Sequence, residues 1–222
     1  MDCFIIRLYG VSAHFRDPRF NTGGIGNLPL RTLHSPPPCT LHGLLCAAKG
    51  GWVEPEQLKI GWRMDYASAT LDFQTCRLPQ RKSYNWTKGT QRKDPSPRER
   101  EFLAYPVLTL LVIAGVDFSW FIKPVNPLCL GRSEDLVTMK KIEQITATQC
   151  GTGSIRNQCL PLGLGFGTIY PSPLYFDNDR TPVQMAPRTD ARVIQQVRDK
   201  NMVRVEETQE VFYLWDFGNA IR

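Results

Sequence analysis

Residues Leu28–Gly51 read LPLRTLHSPPPCTLHGLLCAAKGG, and this stretch decides the fold. Its three-proline run, Pro36, Pro37 and Pro38, fixes an extended backbone and supplies no amide donors. Thr40 then suits a helix N-cap, because its hydroxyl accepts an orphan amide of the first turn. Leu41, Leu44, Leu45 and Ala48 recur at the spacing of one helical face, which predicts a helix from Thr40 to Lys49. Gly50 and Gly51 end it, since glycine accepts the left-handed cap conformation. The small residues Cys39, Gly43, Ala47 and Ala48 imply close packing on a sheet, so bulk at Gly43 is expected to impair folding. The pattern describes an architectural joint: a rigid approach, a sharp entry and a short helix. A plain core helix behind a proline turn also fits it.

On the N-terminal side, CFIIRLYGV (residues 3–11) predicts a strand. Phe4, Ile6 and Leu8 share one face, and Ile5, Arg7 and Tyr9 share a partly exposed one. Residues 12–27 read as a polar loop holding His14, Arg16, Arg19 and Asn21, then Gly23, Gly24 and Gly26. Arg16 and Arg19 are placed for phosphate or RNA contact, although a solvated loop also accounts for them. The glycines lack the GxxxxGK[ST] arrangement of a phosphate-binding loop.

On the C-terminal side, IGWRMDY and ATLDF predict two strands within residues 58–74, with a hairpin as one arrangement. Val107–Ile113, behind Pro106, predicts a short buried strand. Val116–Ile122 reads as an adjoining strand. In LCLGRSEDLVTMKK (residues 128–141), Gly131 permits a tight turn and Arg132 projects beside it. Ser133, Glu134 and Asp135 favour a helix start. The following LVTMKKIEQITA is open between helix and strand, as is ARVIQQV near residue 191. Residues 201–206 and 210–215 read as strands with a Glu-Glu turn between them.

Charge singles out residues 77–100, RLPQRKSYNWTKGTQRKDPSPRER. Arg77, Arg81, Lys82, Lys88, Arg92, Lys93, Arg98 and Arg100 face only Asp94 and Glu99, so this segment carries the chain's whole net charge of +6. Tyr84 and Trp86 sit among these bases. Positive charge attracts phosphates and releases counterions, and flat rings stack on unpaired bases. The segment has too little apolar surface for a core element and reads as an RNA-gripping arm; a generic basic loop is the alternative.

Other chemistries find little support. No run of eighteen apolar residues exists, so no membrane span and no membrane partner is expected. The seven cysteines are dispersed and form no CxxC pair, which argues against structural zinc and for a reduced, cytoplasmic setting. The three histidines, His14, His34 and His42, have no metal-ligand spacing, and no GxSxG elbow occurs. No cofactor or metal is expected. Tyr9, His14, His34 and Lys123 are the groups available for metal-free acid–base work on RNA, but nothing in the sequence brings them together.

The motif His14-Phe15-Arg16-Asp17-Pro18, the proline-to-helix stretch and the later LCLGRSEDLV occur in an order that resembles the fifth CRISPR-associated protein family, the small crRNA-binding subunit of type I Cascade complexes. The resemblance covers about the first 50 residues and residues 123–137. It implies an α+β chain, with a single ferredoxin-like, RRM-related antiparallel sheet, short packed helices and a β-rich basic arm at 77–100. Members cap the 5′ handle of the guide crRNA and contact the Cascade backbone subunit and the large subunit, and meet target DNA through the assembled complex. Pro36, Pro37, Pro38, Thr40, Gly43 and Gly131 match architectural positions. Arg16, Arg19 and Arg132 are expected RNA contacts, joined from the arm by Arg81, Lys82, Tyr84, Trp86, Lys88, Arg92 and Lys93. One subtype cleaves its precursor RNA, but this chain shows no local lysine–histidine pair for that. The expected role is therefore non-catalytic RNA binding. A metal-independent endoribonuclease and a protein-only adaptor are the alternatives.

Overall fold

The computed structural model of the chain describes residues 1–20, 29–75 and 97–220. The N-terminal apolar alternation forms β1 (Asp2–Gly10), followed by short β2 (Ser12–Ala13), β3 (Phe15–Arg16) and β4 (Thr32–Leu33). Helix α1 spans Pro38–Lys49. Next come β5 (Lys59–Asp65), β6 (Ser68–Thr75), β7 (Pro97–Ala104) and β8 (Val107–Ala114). A four-residue α2 (Ser119–Ile122) precedes the long β9 (Val137–Gln149). A flanking layer follows: β10 (Thr152–Ile155), β11 (Gln158–Pro161), β12 (Thr168–Ser172), β13 (Tyr175–Phe176), β14 (Pro182–Val183), β15 (Ala186–Ala191) and β16 (Gln195–Arg198). The chain ends with β17 (Met202–Val205), β18 (Val211–Asp216) and α3 (Phe217–Ala220).

Six strands close into an antiparallel barrel in the order β1-β8-β5-β18-β17-β9. Closure depends on the length of β9. Residues 137–146 pair with β1 and residues 147–149 with β17. The Thr146–Ala147 peptide joins the two sides: the Ala147 amide donates to the Met1 carbonyl, and the Thr146 carbonyl accepts from Glu206. The α+β, mostly antiparallel class expected from sequence holds. The strand order, however, is that of a closed barrel instead of an open ferredoxin-like or RRM-related sheet. Among the described residues only α1 exceeds four residues, so helices cannot cover a sheet face, and the strands cover each other by closing.

Strands β1, β5 and β8 therefore bury residues on both faces, whereas β9 is exposed at Thr138, Lys140, Gln144 and Thr148. Cys3, Ile5, Leu111, Ile145, Ala147, Val203, Val205 and Phe212 meet inside the barrel. Ile6, Leu8, Ile60, Trp62, Leu110 and Trp215 face outward beneath α1 and the flanking strands. On β1, Ile5 and Ile6 are both buried, and the face of Ile5 is partly exposed as expected, through half-buried Arg7 and Tyr9. Arg7 and Arg63, on the interior-facing register, share Glu210 at 3.4 and 2.7 Å; Arg7 also pairs with Glu143 and Arg63 with Asp65. Charges that face inward are thus paired.

The joint around α1 is built as its sequence suggests, with two corrections. Leu41, Leu44, Leu45 and Ala48 are buried together, and Gly50 ends the helix with φ of 76°. The indole N–H of Trp62 donates to the Pro36 carbonyl at 3.0 Å, tying the proline approach to β5. The helix starts two residues earlier than expected, at Pro38, and Thr40 makes no capping bond. Proline at the first helical position loses no hydrogen bond, and its fixed φ already suits the helix. Gly43 is exposed, and a Cβ there would meet nothing within 4 Å among the described residues, so their packing does not require glycine. Thr40→Ala should leave stability within about 0.5 kcal/mol of the parent. Gly43→Ala should raise it by about 1 kcal/mol, because alanine loses less backbone entropy in a helix. Urea unfolding of both variants checks this pair.

Three further expectations change. β5 and β6 do not form a hairpin with each other; β5 pairs with β8 and β18, and β6 pairs with β7. Residues 119–122 are helical, because the Asp117 carboxylate accepts the Ser119 amide at 2.9 Å and nucleates a turn among aromatic residues. Ser133–Asp135 begin no helix. The Asp135 carbonyl accepts the Leu130 amide at 2.9 Å and closes a tight turn into β9.

Candidate nucleic-acid interface

The site grows from the hairpin β6–β7. Its pairing runs in continuous register from Ser68↔Ala104 to Thr75↔Pro97. Thr75 and Pro97, the described residues on either side of residues 76–96, thus pair with each other. Arg81, Lys82, Tyr84, Trp86, Lys88, Arg92 and Lys93 all lie outside the described residues.

The root of this hairpin gathers segments remote in sequence. β2 pairs with β7 through Ser12↔Ala104 and Ala13↔Leu103. Leu30 bridges Arg100, exchanging hydrogen bonds with Glu99 and Glu101 at 2.9 Å each. Glu101 accepts the Thr32 amide at 3.1 Å and pairs with Arg31 at 3.3 Å. The His14 ring nitrogen Nδ1 bonds the Glu101 carbonyl at 2.7 Å, and the His14 amide donates to Leu130 at 3.1 Å. The two motifs singled out in the sequence thus meet at the base of the hairpin.

Gly131 is what lets them meet. Its φ is 108°, and an added Cβ would fall on the His14 carbonyl oxygen and 2.8 Å from its carbon. Beside it, Arg132 spends its guanidinium on Asp135, with bonds of 2.8 and 2.7 Å, and on Glu134 at 3.2 Å. Asp135 is fully buried and also accepts the Ser12 hydroxyl. Burial pushes its carboxyl up, but the bonds from Arg132 and Ser12 outweigh that and hold it below the usual aspartate value. The carboxylate therefore stabilises the fold fully above pH 4, and the contribution is lost as pH falls through the depressed value. Asp135→Asn should cost about 2–3 kcal/mol at pH 7, at the low end for a broken buried pair because Arg132 keeps partial solvent access. The difference from the parent should shrink in acid, which a pH series of chemical denaturation would measure.

The other expected RNA contacts divide. Arg19 is exposed but forms a fork on buried Asp17, with Nη2 at 2.6 Å from the carboxylate. Arg16 is exposed on β3, opposite Thr32, and its side chain is engaged. Arg19 and Arg132 thus each pair with a buried carboxylate close in sequence, Asp17 and Asp135. Sequence reasoning missed Asp17 and Asp135 as their partners, and Glu101 as the partner of Arg31 and of the Thr32 amide. The i,i+2 and i,i+3 spacings of Asp17–Arg19 and Arg132–Asp135 were the available signals.

A second cluster lies at the proline approach. His34 bonds the Tyr66 hydroxyl through Nδ1, and its amide donates to Asp190 at 2.9 Å. Arg192 reaches the same carboxylate at 3.3 Å. Burial, then Arg192, lowers the His34 pKa to about 4. Burial also lowers His14 and His42, so all three rings are neutral at pH 7. His34 meets Tyr66 and not Tyr9, which instead lies 4.9 Å beneath Lys140. Among the described residues no group of three His, Cys, Asp or Glu could hold a metal, and no helix is long and apolar enough to cross a membrane.

Comparison with known proteins adds the family context. The model of a family described as CRISPR-associated protein (Cas_Cas5) matches residues 3–206. No curated protein sequence matches the chain. Among solved structures, a chain of a CRISPR RNA-guided surveillance complex is 19% identical, with 88% of this chain and 91% of that chain covered and a TM-score of 0.49. A CRISPR protein from Archaeoglobus fulgidus is 15% identical, with 96% and 98% covered and a TM-score of 0.50. The second likeness is one of fold.

Proposed function

The chain belongs to the CRISPR-associated protein (Cas_Cas5) family, whose model spans residues 3–206, and from that premise we propose that it is a guide-RNA-binding subunit of a type I Cascade. In this reading it caps the 5′ handle of the crRNA, joins the backbone and large subunits, and meets target DNA only through the assembled complex. One observation carries the reading: between Thr75 and Pro97, the paired ends of a hairpin whose root is locked by both family-like motifs, the sequence has six Lys and Arg against Asp94 alone. A rigid base with a basic, aromatic-bearing arm suits a single-stranded RNA end, since charge holds the phosphates and rings take the bases. The ferredoxin-like ancestry implied by the resemblance belongs to the same proposal. Titration of a handle-bearing guide RNA should show saturable binding that weakens steeply with salt. Failure to bind at low salt would end the RNA reading.

The proposed role is non-catalytic. His34 and Tyr66 are the one histidine–tyrosine pair among the described residues that hydrogen-bonds, and this observation favours an endoribonuclease as the second reading. The His34 Nε2 is buried, however, which withholds it from a substrate. Incubation with a full repeat RNA in EDTA should leave it intact; one discrete cut would establish the second reading. A protein-only adaptor would assemble with its neighbours from RNA-free components.

A further inference from the structure

Arg188 lies on β15, in the seam between the flanking sheet and the barrel. It is 5% exposed, and its guanidinium carbon sits 4.8 Å from the centroid of the Trp215 ring. Nε and Nη2 are buried, and neither meets a hydrogen-bond acceptor among the described residues. Asp190, two positions along on the same strand face, accepts from the His34 amide and Arg192 through Oδ2, while its buried Oδ1 meets no donor among the described residues, Arg188 included. The titratable groups that face Arg188 are the thiols of Cys159 and Cys39 and the hydroxyls of Tyr170 and Tyr213. Burial raises all four, Cys159 to about 12, so none supplies a negative charge at pH 7.

Guanidinium keeps its charge in proteins, and a buried charge without a partner is costly. The stack on Trp215 offsets part of that cost through the ring's quadrupole. It leaves the Nε–Nη2 edge, the one that gives two parallel hydrogen bonds to an oxyanion, with nothing to bind. We propose that Arg188 and Trp215 form a receptor for one phosphate-class oxyanion in this seam. The group is supplied by free inorganic phosphate or by an RNA phosphate. In either case it pins the flanking sheet to the barrel, next to the Trp215 N–H bond to Cys159 at 3.1 Å.

The test is the thermal midpoint of the full chain during titration with inorganic phosphate, balanced with chloride to constant ionic strength. Wild type should show a saturable rise of about 4 °C. Arg188→Lys, which keeps the charge and loses the fork, should bind phosphate at least about tenfold more weakly; Arg188→Met should show no rise. A variant neutralised at Arg81, Lys82, Arg92 and Lys93 should keep the rise, which separates the site from the basic arm. Handle RNA in phosphate-free buffer distinguishes the sources: abolition of the phosphate effect assigns the site to RNA, and its persistence assigns it to the free ion. No phosphate-specific rise in wild type, an equal rise with acetate, or an undiminished rise in Arg188→Met would overturn the proposal. The wild-type titration decides even if both variants fail to fold.

Discussion

Gly131→Ala is expected to destabilise the chain by at least about 3 kcal/mol, the range reached only by substitutions with a specific steric cause. Two costs act together. The backbone holds φ at 108°, which side-chain-bearing residues rarely adopt, and the new Cβ falls on the His14 carbonyl. His14 cannot yield easily, because its amide bonds Leu130 and its ring bonds Glu101. Relief requires the turn to leave the hairpin root, which also strains the Arg132–Asp135–Ser12 contacts. Denaturant unfolding measures the loss, with Gly43→Ala as the opposite-sign control. A change below about 1 kcal/mol would show that the two motifs are not locked together at this contact.

The second large effect is on binding. Exchange of Arg81, Lys82, Arg92 and Lys93 for glutamine should weaken guide-RNA binding about 100-fold at moderate salt, and should lower the slope of log affinity against log salt by about 3. The slope is the more telling quantity, since each lost phosphate contact releases fewer counterions, whereas misfolding lowers affinity without a proportional change in slope. Unchanged affinity and slope would remove the arm from the RNA interface. Substitution of Tyr84 and Trp86 should act differently, weakening binding with little change in slope, because stacking involves no counterions.

The local features were legible in the sequence. The face formed by Leu41, Leu44, Leu45 and Ala48, the strand at Val107–Ala114 and the final hairpin follow from short-range periodicity. The basic segment is read from charge alone, and its residues 77–96 lie outside the described residues. What was hidden depends on remote partners. Strands β5 and β6 are neighbours in sequence but pair elsewhere, and Ile5 reads as half-exposed until the barrel closes around it. Ser12 and Asp135 lie 123 residues apart, so no spacing rule links them. Thr40 and Gly43 mislead for a simpler reason: a capping residue and a small residue were assigned roles that Pro38 and open solvent make unnecessary. The carboxylate partners of Arg19 and Arg132 were likewise not read from the sequence.

The most direct test of the account compares the affinity of the chain for a handle-bearing guide RNA with that for an unrelated RNA of equal length, with and without the neighbouring backbone subunit. The account predicts at least about tenfold tighter binding to the handle, or 1.4 kcal/mol, and a larger preference when the backbone subunit is present. Equal affinity for both RNAs under both conditions would contradict it.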